Sequence, residues 1–299
     1  MFVDIGEKAR IRVLRRRFAA KENQPVIVLL HGYGVPTADA FDVPGVSWTA
    51  DLAGRDIEVW AIDLPGFGAS YRPDLGPEAT RAAAAAPCVV TFLRWLKAQS
   101  SQRPLHLLGW SWGAIVAALA AISAPSLIDR LILVGAMQAT RYPEGAQAMA
   151  AMSPSGTITS SMPAYLPMLP EAAVAAWRRM LGLRKDIVDE ATIQKVIDVV
   201  ARAPQSALSS GETMLARPTG PLLDLHNAWS GKPAFDPARL RTPTLVLRGA
   251  LDTFADTKLG RRVAHAEVKE VVISDATHWM PYERSRIQLF EAVADFVKN

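Results

Sequence analysis

The chain is almost devoid of cysteine. Cys88 is the only one among 299 residues, so no internal disulfide can form. A reduced, cytoplasmic setting is the expectation. No uninterrupted apolar run reaches about eighteen residues, so no membrane span is expected. The opening stretch MFVDIGEKARIRVLRRRF places Asp4 and Glu7 early and has no apolar h-region, unlike a secretory leader. No Cys/His cluster has metal-ligand spacing and no glycine-rich phosphate loop opens a helix, so we expect no metal and no nucleotide. The net charge of +4 is a mild excess, with one basic cluster at Arg10, Arg12, Arg15, Arg16 and Arg17. Without interleaved aromatics or a binding module, that cluster reads as a solvated strand face or a charge-protected edge, not as a nucleic-acid patch.

What is present is a large core's worth of apolar residues, 50% of the chain against 21% charged. Near-continuous Val/Ile/Leu runs at 25–32, 57–66, 105–110, 131–136, 242–249 and 268–274 fit strands of a parallel sheet covered on both faces. Helical patterns lie between them, at 77–99 (with Pro87 placed to kink or split it), 112–124 and 283–298. Alternating strands and helices predict an α/β fold with right-handed crossovers. IRVLRRRF is expected as an antiparallel edge strand. The alternation stops between about 138 and 238, where a Met- and Pro-rich stretch precedes helical segments near 171–182, 187–202 and 205–216 with no strand signal. The expected organisation is a core of 1–137 and 239–299 with a helical cap inserted at 138–238. Its methionines either line an adaptable apolar pocket or fill gaps between cap helices.

The chemistry begins at LHLLGWSWGAIVAAL (105–119). Gly109-Trp110-Ser111-Trp112-Gly113 is G-x-S-x-G between a strand and a helix, the setting that forces a serine onto a strained, exposed corner. Its hydroxyl needs a base. Of the five histidines, His106 lies inside a strand run, His226 in the insertion and His265 in the charged stretch RRVAHAE. His278 follows the last strand, in ISDATHWMPYER, level with Ser111 at the C-terminal sheet edge. The base needs an orienting acid. TPTLVLRGALDTFAD offers Asp252 just past its strand, with Asp256 the weaker candidate one turn later. An oxyanion hole needs backbone N–H donors. Trp112 supplies one, and Tyr33 in LLHGYGVP the other, with His31 tying that loop down. Gly32, Trp110 and Trp279 are assigned to substrate contacts, with bracing of the turn as the alternative role for the elbow tryptophans Trp110 and Trp112.

These motifs together resemble the α/β-hydrolase superfamily: HGYG at 31–34, DLPGFGAS at 63–70, GWSWG at 109–113, RGALD at 248–252 and THW at 277–279. The resemblance implies a mostly parallel sheet flanked by helices, a helical cap and no cofactor. It makes Asp63 a loop residue. Serine at the elbow, where dehalogenases and epoxide hydrolases of the fold carry Asp, points away from those reactions. GWSWG partly resembles the GGSWG of proline iminopeptidases but has Trp110 in place of Gly. Such peptidases need acidic cap residues, and nothing singles out Glu144, Glu171 or Glu212. The expected activity is hydrolysis of a largely apolar small-molecule carboxylic ester, a lactone included. The alternatives are a carbon–carbon bond hydrolase, an iminopeptidase-like peptidase or a perhydrolase on the same triad, or a non-catalytic binder.

Overall fold

The computed structural model describes residues 1–299 except 7–8, 19–22, 100–101, 154, 204–205 and 208–212. Its strands are β1 (Phe2–Asp4), β2 (Arg10–Arg16), β3 (Val26–Leu30), β4 (Glu58–Ile62), β5 (Leu105–Trp110), β6 (Arg130–Val134), β7 (Tyr165–Met168), β8 (Ser206–Ala207), β9 (Thr213–Pro218), β10 (Thr244–Gly249) and β11 (Val268–Ile273). Its α-helices are α1 (Trp48–Gly54), α2 (Ala82–Gln99), α3 (Trp112–Ser123), α4 (Pro143–Ala151), α5 (Ala172–Leu181), α6 (Glu190–Ala201), α7 (Gly220–Trp229), α8 (Leu259–Arg262) and α9 (Arg286–Lys298).

The main sheet runs β1-β2-β4-β3-β5-β6-β10-β11. β2 pairs antiparallel with both β1 and β4; from β4 to β11 every pairing is parallel. The apolar runs of β3, β4, β5, β6 and β10 are buried because helices cover both faces, whereas β11, expected to be covered too, lies at the sheet edge and is largely exposed, Val272 included. β3 and β4 are buried at every position, as a doubly covered sheet requires. One core packs α2 and α3 against one face; the other packs α1 and α9 against the opposite face.

Several expectations are corrected. β2 is not the edge strand, because β1 pairs outside it, Phe2 opposite Arg12. Its arginines are not a free basic face: Arg12 pairs with Asp39 and Asp63, Arg15 with Glu58, and Arg16 with Asp42. Pro87 does not split α2. It sits in the helix's sixth position, and the helix continues unbroken to Gln99. The insertion is not purely helical. α4, α5, α6 and α7 are joined by an antiparallel sheet of order β7-β9-β8. The segment expected as a helix at 205–216 forms β8 and β9 where it is described. Pairing with β7, Tyr165 opposite Pro218 and Met168 opposite Leu215, overrides its local helical propensity. Among the described residues no helix is long and apolar enough to cross a membrane.

Candidate active site

Three loops at the C-terminal ends of parallel strands converge. The first follows β5, where Ser111 has φ +61° and ψ −125° before α3 begins. This backbone conformation is costly for a residue with a side chain and persists only when its surroundings dictate it. The flanking glycines supply that dictation. A Cβ at Gly109 would lie 2.2 Å from the Gly113 carbonyl oxygen, and one at Gly113 only 2.4 Å from that of Leu30. The strand, the turn and the helix can close on one another only without those side chains.

The second loop follows β10. Asp252 Oδ1 accepts from the N–H groups of Phe254 and Ala255 at 2.9 and 3.1 Å, which fixes the carboxylate. Its Oδ2 faces His278 Nδ1 at 2.9 Å, and both residues are buried. Asp256 is occupied elsewhere, accepting from the N–H groups of Ala139 and Lys258 and from Arg262. The third loop follows β11 and carries His278. Trp110 Nε1 donates to the His278 carbonyl at 3.0 Å.

Ser111, Asp252 and His278 line one cavity of about 1140 Å³ between the sheet edge and the insertion. Gly32, Tyr33, Trp110 and Trp279 share its wall; Trp112 does not. A Cβ at Gly32 would sit 2.9 Å from Ser111 Cβ, so glycine is what lets this backbone approach the serine. The main-chain N–H groups of Tyr33 and Trp112 find no acceptor among the described residues. His31 is buried, with Nδ1 2.8 Å from the Gly32 carbonyl and Nε2 accepting from the Leu64 N–H at 3.1 Å. Burial lowers its pKa to about 4, so it is a neutral strut under the loop.

The two elbow tryptophans part company. Trp112 is fully buried, and its Nε1 donates to Asp224 Oδ2 at 3.0 Å. Asp224, on α7, also accepts from Arg81 and from the Ala82 N–H, so Trp112 braces the insertion against the core. Trp110 faces the cavity and holds the His278 loop. Met137, Met149, Met152 and Met180 line the cavity, in keeping with the adaptable-pocket reading. His106 is buried in β5, His226 lies on α7, and His265 is exposed; none lines the cavity.

Three residues escaped the sequence reading. Gly135, just after β6, has φ +57°, and a Cβ there would lie 3.0 Å from His278 Nδ1. Glu283 is buried and accepts from the Thr277 N–H, the Thr277 hydroxyl and Trp177 Nε1, anchoring the His278 loop to α5. Burial raises its pKa, against those donors. Arg217, on β9, lines the cavity while nearly fully buried. No group of three or more His, Cys, Asp or Glu that could hold a metal occurs among the described residues.

Known proteins fit this frame. The model of the alpha/beta hydrolase family matches residues 27–292. An AB hydrolase superfamily protein, YfhM, of Bacillus subtilis is 24% identical over 294 residues, covering 94% of this chain and 93% of that protein. A 1-acylglycerol-3-phosphate O-acyltransferase of Arabidopsis thaliana is 37% identical over 118 residues, 40% of this chain but only 26% of the plant protein. Among solved structures, E-2-(acetamidomethylene)succinate hydrolase superposes with TM-score 0.68 at 19% identity, covering 100% of this chain and 98% of that one. An esterase from Exiguobacterium antarcticum gives TM-score 0.68 at 15% identity, covering 100% and 99%. At these identities the two structures establish a shared fold.

Proposed function

Because the chain belongs to the alpha/beta hydrolase family, we propose that its cavity hydrolyses a carboxylic ester, a lactone included, through an acyl-enzyme. Ser111 Oγ attacks the ester carbonyl while His278 Nε2 takes its proton. Asp252 holds Nδ1–H and stabilises the imidazolium. The N–H groups of Tyr33 and Trp112 receive the oxyanion. Collapse breaks the bond to the alkoxy oxygen, which leaves with the proton returned by His278. Water, deprotonated by the same imidazole, then releases the carboxylic acid and restores the Ser111 hydroxyl. No cofactor takes part.

The observation that carries this reading is a serine at φ +61° sharing one cavity with a buried, hydrogen-bonded Asp–His pair. A fluorophosphonate should add its phosphonyl mass to Ser111 in the wild type and add nothing in Ser111→Ala. The same substitution should abolish p-nitrophenyl hexanoate turnover with the circular dichroism spectrum unchanged. An unlabelled serine, or turnover surviving the substitution, overturns the proposal.

The partial likeness to plant proteins named as acyltransferases supports a second reading, in which an alcohol replaces water as acceptor of the acyl group. Adding a primary alcohol during turnover distinguishes them: new ester at the expense of free acid favours transfer.

A further inference from the structure

Among the described residues Arg217 has no counter-ion in the cavity it lines. It is 7% exposed, on a strand of the insertion, and no carboxylate of the described residues forms an ion pair with it. Its Nε has no hydrogen-bond partner among the described residues, and one terminal nitrogen reaches only the Met152 sulfur, at 3.8 Å. The guanidinium carbon lies 4.2 Å from the centre of the Tyr33 ring. That ring cannot neutralise it: burial pushes the Tyr33 hydroxyl up to about 12, against the pull of Arg217 itself, so the phenol is uncharged. Among the described residues the one buried carboxylate on the cavity wall, Asp252, is engaged by His278 and two N–H groups. Glu144 and Arg179 also border the cavity, but both are exposed to solvent. A guanidinium stays protonated even when buried and carries a fork of donors matched to a carboxylate. Buried without a carboxylate partner among the described residues, it is a costly feature of a stable fold.

The geometry points to a substrate-binding subsite: Arg217 receives a carboxylate of the substrate, making the preferred ester one that carries a single negative charge. This deepens the ester-hydrolase reading and rests on it. Arg217 stacks on the residue whose main-chain N–H is the proposed oxyanion donor, and the neighbouring Gly32 lies so near Ser111 that an added Cβ would stand 2.9 Å from the serine's Cβ. The carboxylate therefore docks on the oxyanion side of the cavity, within a small molecule's reach of the reacting carbonyl. One buried cation among methionines, alanines and tryptophans balances one charge. A phosphate dianion would leave a second charge uncompensated.

The test compares p-nitrophenyl hexanoate with two esters of similar length: mono-p-nitrophenyl adipate, with the carboxylate on the acyl side, and 3-carboxy-4-nitrophenyl hexanoate, with it on the leaving group. Rates are corrected for spontaneous hydrolysis. The wild type should favour one carboxylate ester over the neutral ester by at least about tenfold in kcat/KM, mainly through KM. In Arg217→Met that ratio should fall to about one, and in Arg217→Lys it should be partly retained. Equal kcat/KM for all three esters in the wild type overturns the subsite without involving any variant. A ratio unchanged in a folded Arg217→Met does the same. A phosphonate-terminated ester preferred over both carboxylates overturns the single-charge assignment. Failure of the ester reading is a separate result, since it would leave all three esters uncleaved. Binding of free adipate, read as a rise in Tm in the wild type and none in Arg217→Met, tests the subsite independently of turnover; no rise in the wild type counts against it.

Discussion

The indole N–H of Trp110 donates to the backbone carbonyl of His278 across 3.0 Å, tying the residue before the candidate nucleophile to the backbone of the candidate base. The indole also packs edge-on against Tyr282, which follows in the His278 loop. The separation between serine and imidazole is thus set partly by one side chain. Trp110→Phe keeps most of the packing and removes the donor, leaving a buried carbonyl short of a partner. That should cost about 1–2 kcal/mol. The expected outcome is a Tm lower by about 2–4 °C and a kcat reduced by roughly tenfold, with KM for a neutral ester changed less. Thermal melts and steady-state kinetics check both. An unchanged kcat would mean that the bond braces the fold without positioning the base.

Gly135 permits another close approach. Its φ of +57° lies in the region that favours glycine, and an added Cβ would stand 3.0 Å from His278 Cε1 and Nδ1 and 3.2 Å from Asp252 Oδ2. Gly135→Ala therefore combines a backbone penalty of about 1–2 kcal/mol with a displaced imidazole. Displacements well under an ångström are expensive in an aligned site, so kcat should fall by about tenfold to a hundredfold. Alanine at the exposed positive-φ Gly182, whose Cβ would meet nothing within 4 Å, provides the control. It should lower Tm comparably and leave kcat near that of the wild type.

The contrast between Ser111 and Arg217 explains how far the sequence could be read. Ser111, Asp252 and His278 follow strands whose apolar runs are unmistakable, and each lies within a few residues of its strand's end. Chain order and strand position were enough to nominate them. Arg217 lies in SALSSGETMLARP, a segment with helix-forming residues and no alternation. Its strand exists because Tyr165–Met168 pairs with it from about fifty residues away, a contact invisible to any local pattern. The same holds for Trp112, whose packing role depends on Asp224, and for Glu283, whose donors come from Thr277 and Trp177. Local motifs expose the candidate catalytic edge of the sheet; long-range partners decide what surrounds it.

The two acids after β10 separate cleanly in the structure and should separate in kinetics. Asp252→Asn would present its amide or carbonyl to His278 Nδ1 and favour the wrong tautomer, with an expected loss of about 10⁴ in kcat. Asp256 instead accepts from the Ala139 N–H and from Arg262, holding the point where the chain leaves the core for the insertion. Asp256→Asn should lower Tm and leave kcat within a few-fold. The opposite ranking would reassign the acid.

Acid stability gives a test away from the site. Burial lowers the pKa values of both His31 and His106 from the ordinary 6.5 to about 4. Folding holds these rings neutral, while the unfolded chain protonates them near pH 6.5. Their stabilisation is therefore complete above that pH and is lost as the pH falls from about 6.5 to about 4. The two differ in what they do when neutral. His31 uses both ring nitrogens under the Gly32 loop, whereas neither ring nitrogen of His106 has a hydrogen-bond partner among the described residues. His106→Leu removes a titrating group and two desolvated nitrogens at once. It should raise Tm at pH 7, and its Tm should decline less steeply than the wild type's between pH 6.5 and 4. His31→Leu removes two hydrogen bonds and should lower Tm at pH 7. Thermal melts across that window measure both, and a His106→Leu curve parallel to the wild type's would show that His106 does not control the acid limb.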